Sequence, residues 1–562
     1  MILPQSPFLS KLRTDFLPSP AEKLEVHQLI STRKERLQAI EDEIAQLRAE
    51  QDEIRRFIDD HLALISPIRQ VHADILRGIF NKCIPESGFP ACSARDAPLL
   101  LTEVCRLWRE VAISTPTLWN RIHIGLPTLG HLPTTDKFCS YMHLWRDGIQ
   151  TWLQRSGTVP LVLSISGAVD WDMEEETARR FHGDVARQLL PYASRWKSLS
   201  LSVPDRIWTA LTESTVELTS LEELKSRHPH SDEDYDNSLK AVLQRAPSLH
   251  KLKLEQLYPD LPVRWNCMTE IVLRPSSWPR DRLITAEAIQ LLSSSCSSLR
   301  HFTVCIYVAT QDPLDTFSPV ILPNLQTLNI DAEGPSPTTD SFWAPLQHFL
   351  DHVTSPKLVD FGLRFPHPHR RTMPLITLVG FLARSGCALR SLVLDVPAAG
   401  AELVALLASM PSLTQLKLVA AGELVPGTSD SDWHLPGLLI DSLTPSPSNI
   451  DVLCSDLEFL VFRRCRSFVA GPILALAEAR CTEKSSTRKL KRLQVGFDDI
   501  IDDAKVSLEL DALRNRGVLV QFSALSEQPY AKIVATSPKP DFCDYAHSAE
   551  LWWPEYPSQA FH

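Results

Sequence analysis

The sequence lacks most of the features by which enzymes and nucleic-acid-binding proteins are identified. Its 562 residues include only 19 glycines, and no Gly-x-x-x-x-Gly-Lys-Ser/Thr, Gly-x-Gly-x-x-Gly, Gly-x-Ser-x-Gly or His-Glu-x-x-His string occurs. Phosphate-binding loops and the common nucleophile and zinc-protease motifs are therefore missing. The net charge of -11 gives no general attraction for phosphate backbones. We expect no nucleic-acid partner, no catalytic residue and no enzymatic activity.

Two further absences bear on the compartment. The 12 cysteines contain no Cys-x-x-Cys pair, so we expect free thiols and neither a metal site nor a cofactor. No stretch reaches 18 consecutive apolar residues, and residues 1–20 have no basic start followed by an apolar run. We therefore expect neither secretion nor a membrane span, and a cytoplasmic or nuclear location.

The composition is that of a folded protein, with 44% hydrophobic and 22% charged residues. A chain of this length is too long for a single ordinary core. Several domains or a repeat architecture are expected.

A heptad pattern follows a short N-terminal segment, residues 1–20, that we expect to be flexible. Steps of three and four residues join the following positions: Ile30, Arg33, Leu37, Ile40, Ile44, Leu47, Gln51, Ile54, Ile58, His61 and Ile65. Opposite charges lie five residues apart on the flanks, as interhelical pairs do in a parallel coiled coil. They are Arg36 with Glu41, Glu43 with Arg48, and Glu50 with Arg55.

Residues 21–66 are therefore predicted to form one amphipathic helix, which could form a homodimer from Ile30 to Ile65. The same spacing also describes a solitary helix that folds back on its own domain, and both alternatives stay open. Ser66-Pro67 disfavours further helix and marks a boundary.

Two short amphipathic helices are predicted in residues 67–124. In the first, Ile75, Leu76, Ile79 and Phe80 share one face, and a loop containing Pro85, Gly88 and Pro90 follows. The second has apolar residues at i, i+3, i+4 and i+7, namely Leu101, Val104, Cys105, Trp108 and Val111. The turn residues of 114–117 then lead to Leu118-Trp119.

This segment resembles the F-box family, whose motif has a Leu-Pro pair, a Glu-Ile-Leu-x-x-Ile-Phe helix, Val-Cys-x-x-Trp and then Leu-Trp. Residues 74–80, 104–109 and 116–119 fit that motif in order and spacing. With the heptad helix upstream, the chain is similar to the F-box proteins abundant in mushroom-forming fungi. One departure is Val71-His72, which stands where the family has Leu-Pro.

The resemblance implies that this module docks on a Skp-type adaptor and, through it, on a cullin ubiquitin ligase. The implied adaptor contacts are Val71, His72, Ile75, Leu76, Ile79, Leu101, Val104 and Trp108. Ile75, Leu76 and the Val71-His72 pair are the preferred contacts. The alternative is that these apolar residues form the core of a small helical bundle, which we favour for Phe80, Val104 and Trp108.

A Leu-x-x-Leu-x-Leu signature then recurs ten times. Its apolar positions are Trp196/Leu199/Leu201, Leu249/Leu252/Leu254, Met268/Ile271/Leu273, Leu299/Phe302/Val304, Leu325/Leu328/Ile330, Leu358/Phe361/Leu363, Leu389/Leu392/Leu394, Leu413/Leu416/Leu418, Leu457/Leu460/Phe462 and Leu490/Leu493/Val495. Each copy predicts a short strand, and helical stretches separate several of them.

These alternating elements predict an α/β fold in which residues 125–525 form a right-handed leucine-rich repeat solenoid, with parallel strands inside and helices outside. The spacing between copies varies widely, so the array is irregular. A Pro- and Trp-containing tail, residues 526–562, follows, and we expect it to pack against the last repeat.

Residues between the repeated leucines are predicted to line the concave sheet and contact a protein target. They are Lys251, Lys253, Arg300, Thr303, Gln326, Asn329, Arg390, Gln415 and Lys417. The alternative for any one of them is an ordinary solvated strand position.

Two functions follow from these patterns. The first is a substrate-recognition subunit of a cullin-type ubiquitin ligase, in which the F-box module binds the adaptor and the repeats bind a protein target. The second is a leucine-rich repeat scaffold whose F-box-like module only caps the solenoid. Val71-His72 favours the second.

Overall fold

The computed structural model consists of two compact units, Met1–Ile79 and Phe80–His562. The boundary between them falls inside the first F-box-like helix. The structure describes residues 6–85, 88–90, 94–126, 135–167, 183–203, 205–226, 233–254, 261–273, 283–295, 297–308, 317–334, 343–365, 372–396, 398–419, 423–424, 433–434, 437–446, 452–465, 470–481, 490–497 and 519–524. The predicted tail, residues 526–562, lies outside the described residues.

The first unit contains one long helix, α1 (Pro20–Leu64), which confirms the predicted N-terminal helix. Ser19 and Glu22 form a capping box, in which the Ser19 N–H donates to Glu22 Oε2 (2.9 Å) and the Glu22 N–H donates to Ser19 Oγ. Lys11 Nζ lies 3.0 Å from Glu22 Oε1. The backbone bond from Ser19 and then the Lys11 ammonium lower the pKa of Glu22 to about 2. The Glu22 side chain therefore remains an ionised carboxylate, and keeps its hydrogen bond to the Ser19 N–H, well into the acidic pH range.

Further helices follow along the chain. They are α2 (Ala73–Cys83), α3 (Leu99–Glu103), α4 (Arg106–Ile113), α5 (Thr135–Arg155), α6 (183–189), α7 (Asp205–Thr212), α8 (Glu233–Gln244), α9 (Thr285–Ser295), α10 (Ala344–His352), α11 (Ile376–Ser385), α12 (Gly400–Ala408), α13 (Gly437–Leu443) and α14 (Ala470–Cys481). From α9 to α14, each helix packs against the next one along the chain. Among the described helices, none combines the length and apolar character needed to cross a bilayer.

Strands alternate with these helices. They are β1 (Arg121–Gly125), β2 (Leu161–Ser166), β3 (Trp196–Ser202), β4 (Glu223–Ser226), β5 (Lys251–Leu254), β6 (Glu270–Leu273), β7 (His301–Tyr307), β8 (Val320–Ile321), β9 (Thr327–Glu333), β10 (Val353–Thr354), β11 (Asp360–Arg364), β12 (Ser391–Asp395), β13 (Gln415–Val419), β14 (Glu423–Leu424), β15 (Trp433–His434), β16 (Phe459–Cys465), β17 (Arg492–Phe497) and β18 (Leu519–Ala524).

Fourteen of the strands form one sheet in chain order, interrupted only where β8, β10, β14 and β15 form two separate pairs. Every pairing within the large sheet is parallel. The predicted α/β class with a parallel sheet is therefore confirmed.

All ten Leu-x-x-Leu-x-Leu copies coincide with strands of this sheet. Their second and third apolar positions lie on the strands and are buried. The first position is buried as well; it lies just before the strand in nine copies, and in the remaining copy Trp196 is the first residue of β3. One face of the sheet is thus a continuous apolar layer, because alternate residues of a strand point to the same side.

Four strands have no such signature. β4 has Leu224 but carries Ser226 at the third apolar position, and β2 alternates Leu161, Leu163 and Ile165 without the leading residue. β1 begins two residues after Trp119, so the sheet starts within the predicted helical module. β18 is the fourth.

A backbone feature repeats at nine strand starts. The carbonyl of the residue just before a strand accepts the N–H groups of two successive residues in the next repeat, as Arg300 O does from Gln326 (2.8 Å) and Thr327 (3.0 Å). The other eight acceptors are Glu222, His250, Thr269, Gln326, Val359, Arg390, Thr414 and Glu458. This shared bond satisfies the backbone at the bend between the first and second apolar positions.

Arginine side chains in the second unit bind carbonyls in the last turns of helices or in the segments that follow them. Arg195 Nη2 donates to Val159 O (2.6 Å) after α5, and Arg245 Nη2 donates to Leu211 O (2.9 Å) in α7. Arg480 on α14 donates to Leu443 O at the end of α13 and to Leu453 O and Cys454 O before β16. Helix C-termini leave backbone carbonyls without intrahelical partners. The arginine side chains donate hydrogen bonds to these carbonyls.

Candidate recognition surfaces

The residues predicted to contact an adaptor through α2 divide by burial. Ile75 is 59% exposed and Ile79 42% exposed, whereas Leu76 is fully buried. Val71 is half-buried and His72 exposed. Because Ile75 and Ile79 are four residues apart, they lie on one side of α2 and present an apolar surface.

His72, which stands where the F-box family has proline, lies at the start of α2. Its carbonyl accepts the N–H groups of Ile75 (3.0 Å) and Leu76 (3.1 Å). Its ring Nδ1 accepts the N–H of Asp74 (3.3 Å). The imidazole thus caps the N-terminus of α2. A proline ring at this position could not accept the hydrogen bond.

In the second unit, the predicted contacts divide in the same way. Val104 is 53% exposed, Trp108 is half-buried and Leu101 is buried. The rings of Trp108 and Phe80 lie 4.9 Å apart. Two further apolar side chains, Leu100 and Leu107, are exposed although sequence reasoning did not select them.

Three assignments therefore need correction. Leu76 and Leu101 are core residues and offer no surface to an adaptor, while Val104 is exposed and does not belong to the core. The apolar spacing of a helix identifies residues that avoid water, but it does not say which of them another element of the same chain covers.

The sheet face opposite the apolar layer carries two rows of side chains, here called the polar face. In register, the first row is Ser198, Glu223, Lys251, Glu270, His301, Thr327, Asp360, Ser391 and Gln415. The second row is Ser200, Lys225, Lys253, Val272, Thr303, Asn329, Gly362, Val393 and Lys417. Most of these residues are half-buried.

Six of the nine predicted target contacts lie in these rows. They are Lys251, Lys253, Thr303, Asn329, Gln415 and Lys417. Lys417 is buried, and the other five are half-buried. The sheet therefore brings them to one face.

The remaining three, Arg300, Gln326 and Arg390, do not lie in the rows. Each precedes its strand by one residue, is exposed, and contributes the carbonyl that accepts two N–H groups. The bend at that carbonyl breaks the alternation of side chains, so these residues belong to the edge where the strands begin. Their assignment to the sheet face was wrong.

Lysines and glutamates form a connected network on strands β4 to β6. Lys253 Nζ lies 2.6 Å from Glu270 Oε1 and 3.5 Å from Glu223 Oε1. Lys225 Nζ lies 3.4 Å from Glu223 Oε1, and Lys251 Nζ lies 4.0 Å from Glu270 Oε2. Three ammonium groups thus face two carboxylates, which leaves a positive excess.

The network stabilises the ionised form of Glu223. Burial by itself raises the pKa of Glu223, but Lys225, the hydrogen bond from Ser198 (2.7 Å), Lys253 and Lys251 together lower it below the ordinary value. The carboxylate stays ionised although it is mostly buried, because its partners outweigh the loss of hydration.

A hydrogen-bonded chain continues the first row. His301 Nδ1 lies 3.1 Å from Thr327 Oγ1, and Thr327 Oγ1 donates to Asp360 Oδ2 (3.3 Å). The Thr327 hydroxyl thus lies between the His301 ring and the Asp360 carboxylate. These contacts order the three side chains on the polar face.

Burial shifts the pKa values of His301 and Asp360, the two ends of this chain, so that the neutral form of each is favoured. It lowers the pKa of His301, although Glu270 and Asp360 oppose the shift. It raises the pKa of Asp360, against the hydrogen bond from Thr327 and the charges of His301 and Arg390. Perturbed acids and bases concentrate at functional sites, which makes this part of the polar face a candidate for recognition.

We expect Asp360→Asn to raise the stability of the folded chain at pH 7. The folded state binds the Asp360 proton more tightly than the unfolded state does, so the contribution of Asp360 to the free energy of unfolding falls as pH rises above about 3.8. Asparagine still accepts a hydrogen bond from Thr327, but it carries no charge and therefore does not incur the cost of burying an ionised carboxylate. Urea unfolding should show a gain below about 1 kcal/mol at pH 7, since the site is partly exposed, and a smaller gain at pH 4. A loss at pH 7 would show that His301 and Arg390 outweigh burial.

Sequence reasoning missed Glu223, Glu270, His301 and Asp360, because it counted only some of the positions between leucines. It also missed His123 on β1, whose Nδ1 lies 3.0 Å from Ser164 Oγ and whose Nε2 lies 3.3 Å from Ser166 Oγ. Strand register, which only the fold supplies, would have identified all five.

Within the described ranges, no group of three or more His, Cys, Asp or Glu side chains is arranged to hold a metal ion. The arrangement offers charges, hydroxyls and amides on a broad surface, which suits the binding of another macromolecule. No family model matches the chain, and no curated protein matches it significantly.

Proposed function

We propose that the chain is a recognition subunit of a cullin-type ubiquitin ligase. A Skp-type adaptor docks on the F-box-like segment, the polar face holds a protein target, and partner enzymes supply the transfer chemistry. The observation that carries the proposal is the exposed pair Ile75 and Ile79 on α2, within the segment that fits the F-box motif.

The second unit is proposed to be an irregular leucine-rich repeat solenoid. Three observations support this: the recurring Leu-x-x-Leu-x-Leu signature, parallel strands paired in chain order, and the same bifurcated carbonyl at nine strand starts. In a solenoid each repeat contacts only its neighbours and adds to a continuous surface. The polar face is then the long surface on which a target lies.

Adaptor docking is proposed for two sets of exposed apolar residues, one in each unit. Ile75 and Ile79 are the first set, and Leu100, Val104 and Leu107 are the second. Isolated exposed apolar residues are common on protein surfaces. Their coincidence with the family motif is what favours docking.

Target binding is proposed for the part of the polar face between Glu223 and Asp360. The lysine excess there favours a target segment with acidic groups. The chain would work in the cytoplasm or nucleus and without a cofactor. Its target is a protein, and neither nucleic acid nor a membrane is proposed as a partner.

A scaffold function is the second candidate. Burial of Leu76 and Leu101 and the capping role of His72 favour it, because they fit a segment whose apolar residues serve its own fold. In that case the F-box-like segment caps the repeats and binds no adaptor.

Size-exclusion chromatography of the full chain with a purified Skp-type adaptor separates these two functions. The ligase proposal predicts that both proteins elute together with the mass of a complex. Separate elution of a folded chain and a folded adaptor would favour the scaffold.

A further inference from the structure

No described residue of the first unit buries the apolar stripe of α1. Seven of its residues are 37–57% exposed: Ile30, Leu37, Ile40, Ile44, Leu47, Ile54 and Ile58. No residue of α1 whose side chain the structure describes is buried. A helix with a stripe of large apolar residues in water is incomplete, because burial of those side chains is what stabilises amphipathic helices in proteins.

The charges beside the stripe are also without partners. Arg36, Glu43 and Glu50 flank one side, and Glu41, Arg48 and Arg55 flank the other. All six are exposed, and none makes an ion pair or a side-chain hydrogen bond to any described residue. On one helix they are thus six free charges at the two positions that flank a coiled-coil seam.

We propose that α1 binds the α1 helix of a second copy of this chain as a parallel, in-register, two-stranded coiled coil. In that arrangement each residue at the first flank meets the residue five positions later in the partner. Arg36 then faces the partner's Glu41, Glu43 faces the partner's Arg48, and Glu50 faces the partner's Arg55. Every free charge acquires an opposite one.

The opposite orientation and other registers fit less well. In an antiparallel pair the residues of the first flank face one another, so when the pair is centred on the stripe Glu43 faces the partner's Glu50 and like charges meet near the centre. Gln51 fixes the register, since it occupies a core position of the seam. In register the two amides face each other and hydrogen bond, whereas a shift of one heptad places each against isoleucine.

The consequence is a particle with two polar faces. Two linked binding surfaces increase the apparent affinity for a target that carries two copies of a recognised segment. The proposal does not depend on adaptor binding, because α1 lies outside the F-box-like segment.

Sedimentation equilibrium of the full chain tests the association. We expect the wild-type chain to have the mass of two chains, and the variant Ile44→Asp, Leu47→Asp to have the mass of one. The matched control is Ala45→Asp, Ala49→Asp, which adds the same charges on the exposed opposite side of α1 and should remain a dimer. A wild-type mass of one chain or of three or more, or a control that is also monomeric, would overturn the proposal.

Cross-linking tests the orientation. Ile30 lies at a core position near the start of the stripe, so Ile30→Cys should form a disulfide with its counterpart under mild oxidation. The wild-type chain and Ile30→Ser, treated identically, report the background from the native cysteines. A dimer in which Ile30→Cys gives no more cross-linked product than these controls would exclude the parallel arrangement.

Discussion

Replacing Arg480 by leucine will destabilise the second unit by about 3 kcal/mol. The side chain is fully buried on α14, and its guanidinium donates to three carbonyls. Nε binds Leu443 O (2.9 Å), Nη1 binds Cys454 O (3.0 Å), and Nη2 binds Leu453 O (2.7 Å). Leucine would leave three buried acceptors without a donor.

Two features make this site sensitive. Burial lowers the pKa of Arg480 to about 10, so the group still carries its charge at neutral pH, beside the negative end of α13. Cys454 has a left-handed backbone (φ 49°), which is unfavourable for a residue other than glycine. The bond from Nη1 to its carbonyl holds this turn in place.

Urea unfolding of the full chain, monitored by circular dichroism, measures the effect. Arg384→Leu is the control, because Arg384 is exposed and donates to a single carbonyl, Leu350 O (2.7 Å). We expect its loss to stay within about 1 kcal/mol. Arg480→Lys should recover only part of the stability, since an ammonium cannot reach three carbonyls in the fork geometry of guanidinium. Equal unfolding midpoints for wild type and Arg480→Leu would contradict the role assigned to this side chain.

Replacing Ile75 and Ile79 together by aspartate will weaken adaptor binding by at least ~100-fold, which corresponds to about 3 kcal/mol. Apolar side chains at the centre of an interface contribute most of the affinity. Aspartate at these positions would place two charges in an interface that excludes water. Because both side chains are exposed, the substitutions should leave the fold intact.

The matched control makes the same chemical change elsewhere. Ile321 and Ile376 are exposed isoleucines of the second unit, and replacing both by aspartate should leave the adaptor affinity unchanged. Isothermal titration of the full chain with the adaptor provides the comparison. An equal loss in both variants would point to a general effect of charge, and no loss in either would remove Ile75 and Ile79 from the interface.

Much of the fold could be predicted because its signals are local. The heptad spacing and the Ser66-Pro67 break predicted α1 within two residues at its end, and the ten leucine signatures predicted ten strands. Strand β4 was not predicted, because Ser226 replaces one apolar residue of the pattern. A strand in the middle of a sheet tolerates that replacement, since its neighbours on both sides supply the apolar layer.

The sites could be predicted only in part because they depend on contacts between distant residues. The error at Arg300, Gln326 and Arg390 came from the bend before each strand, which is a property of pairing between repeats. Arg480 has no sequence signature, because the carbonyls it binds are 26 to 37 residues away. The exposure of Val104 and the burial of Leu76 likewise depend on which elements pack together.

Hydrogen exchange of the full chain with and without a Skp-type adaptor tests the central claim most directly. The claim is that the adaptor occupies the F-box-like segment and leaves the polar face free for a target. It predicts slower exchange for backbone amides of α2 and unchanged exchange for β4 to β11. Unchanged exchange throughout a folded chain, or slower exchange along β4 to β11 instead of α2, would contradict it.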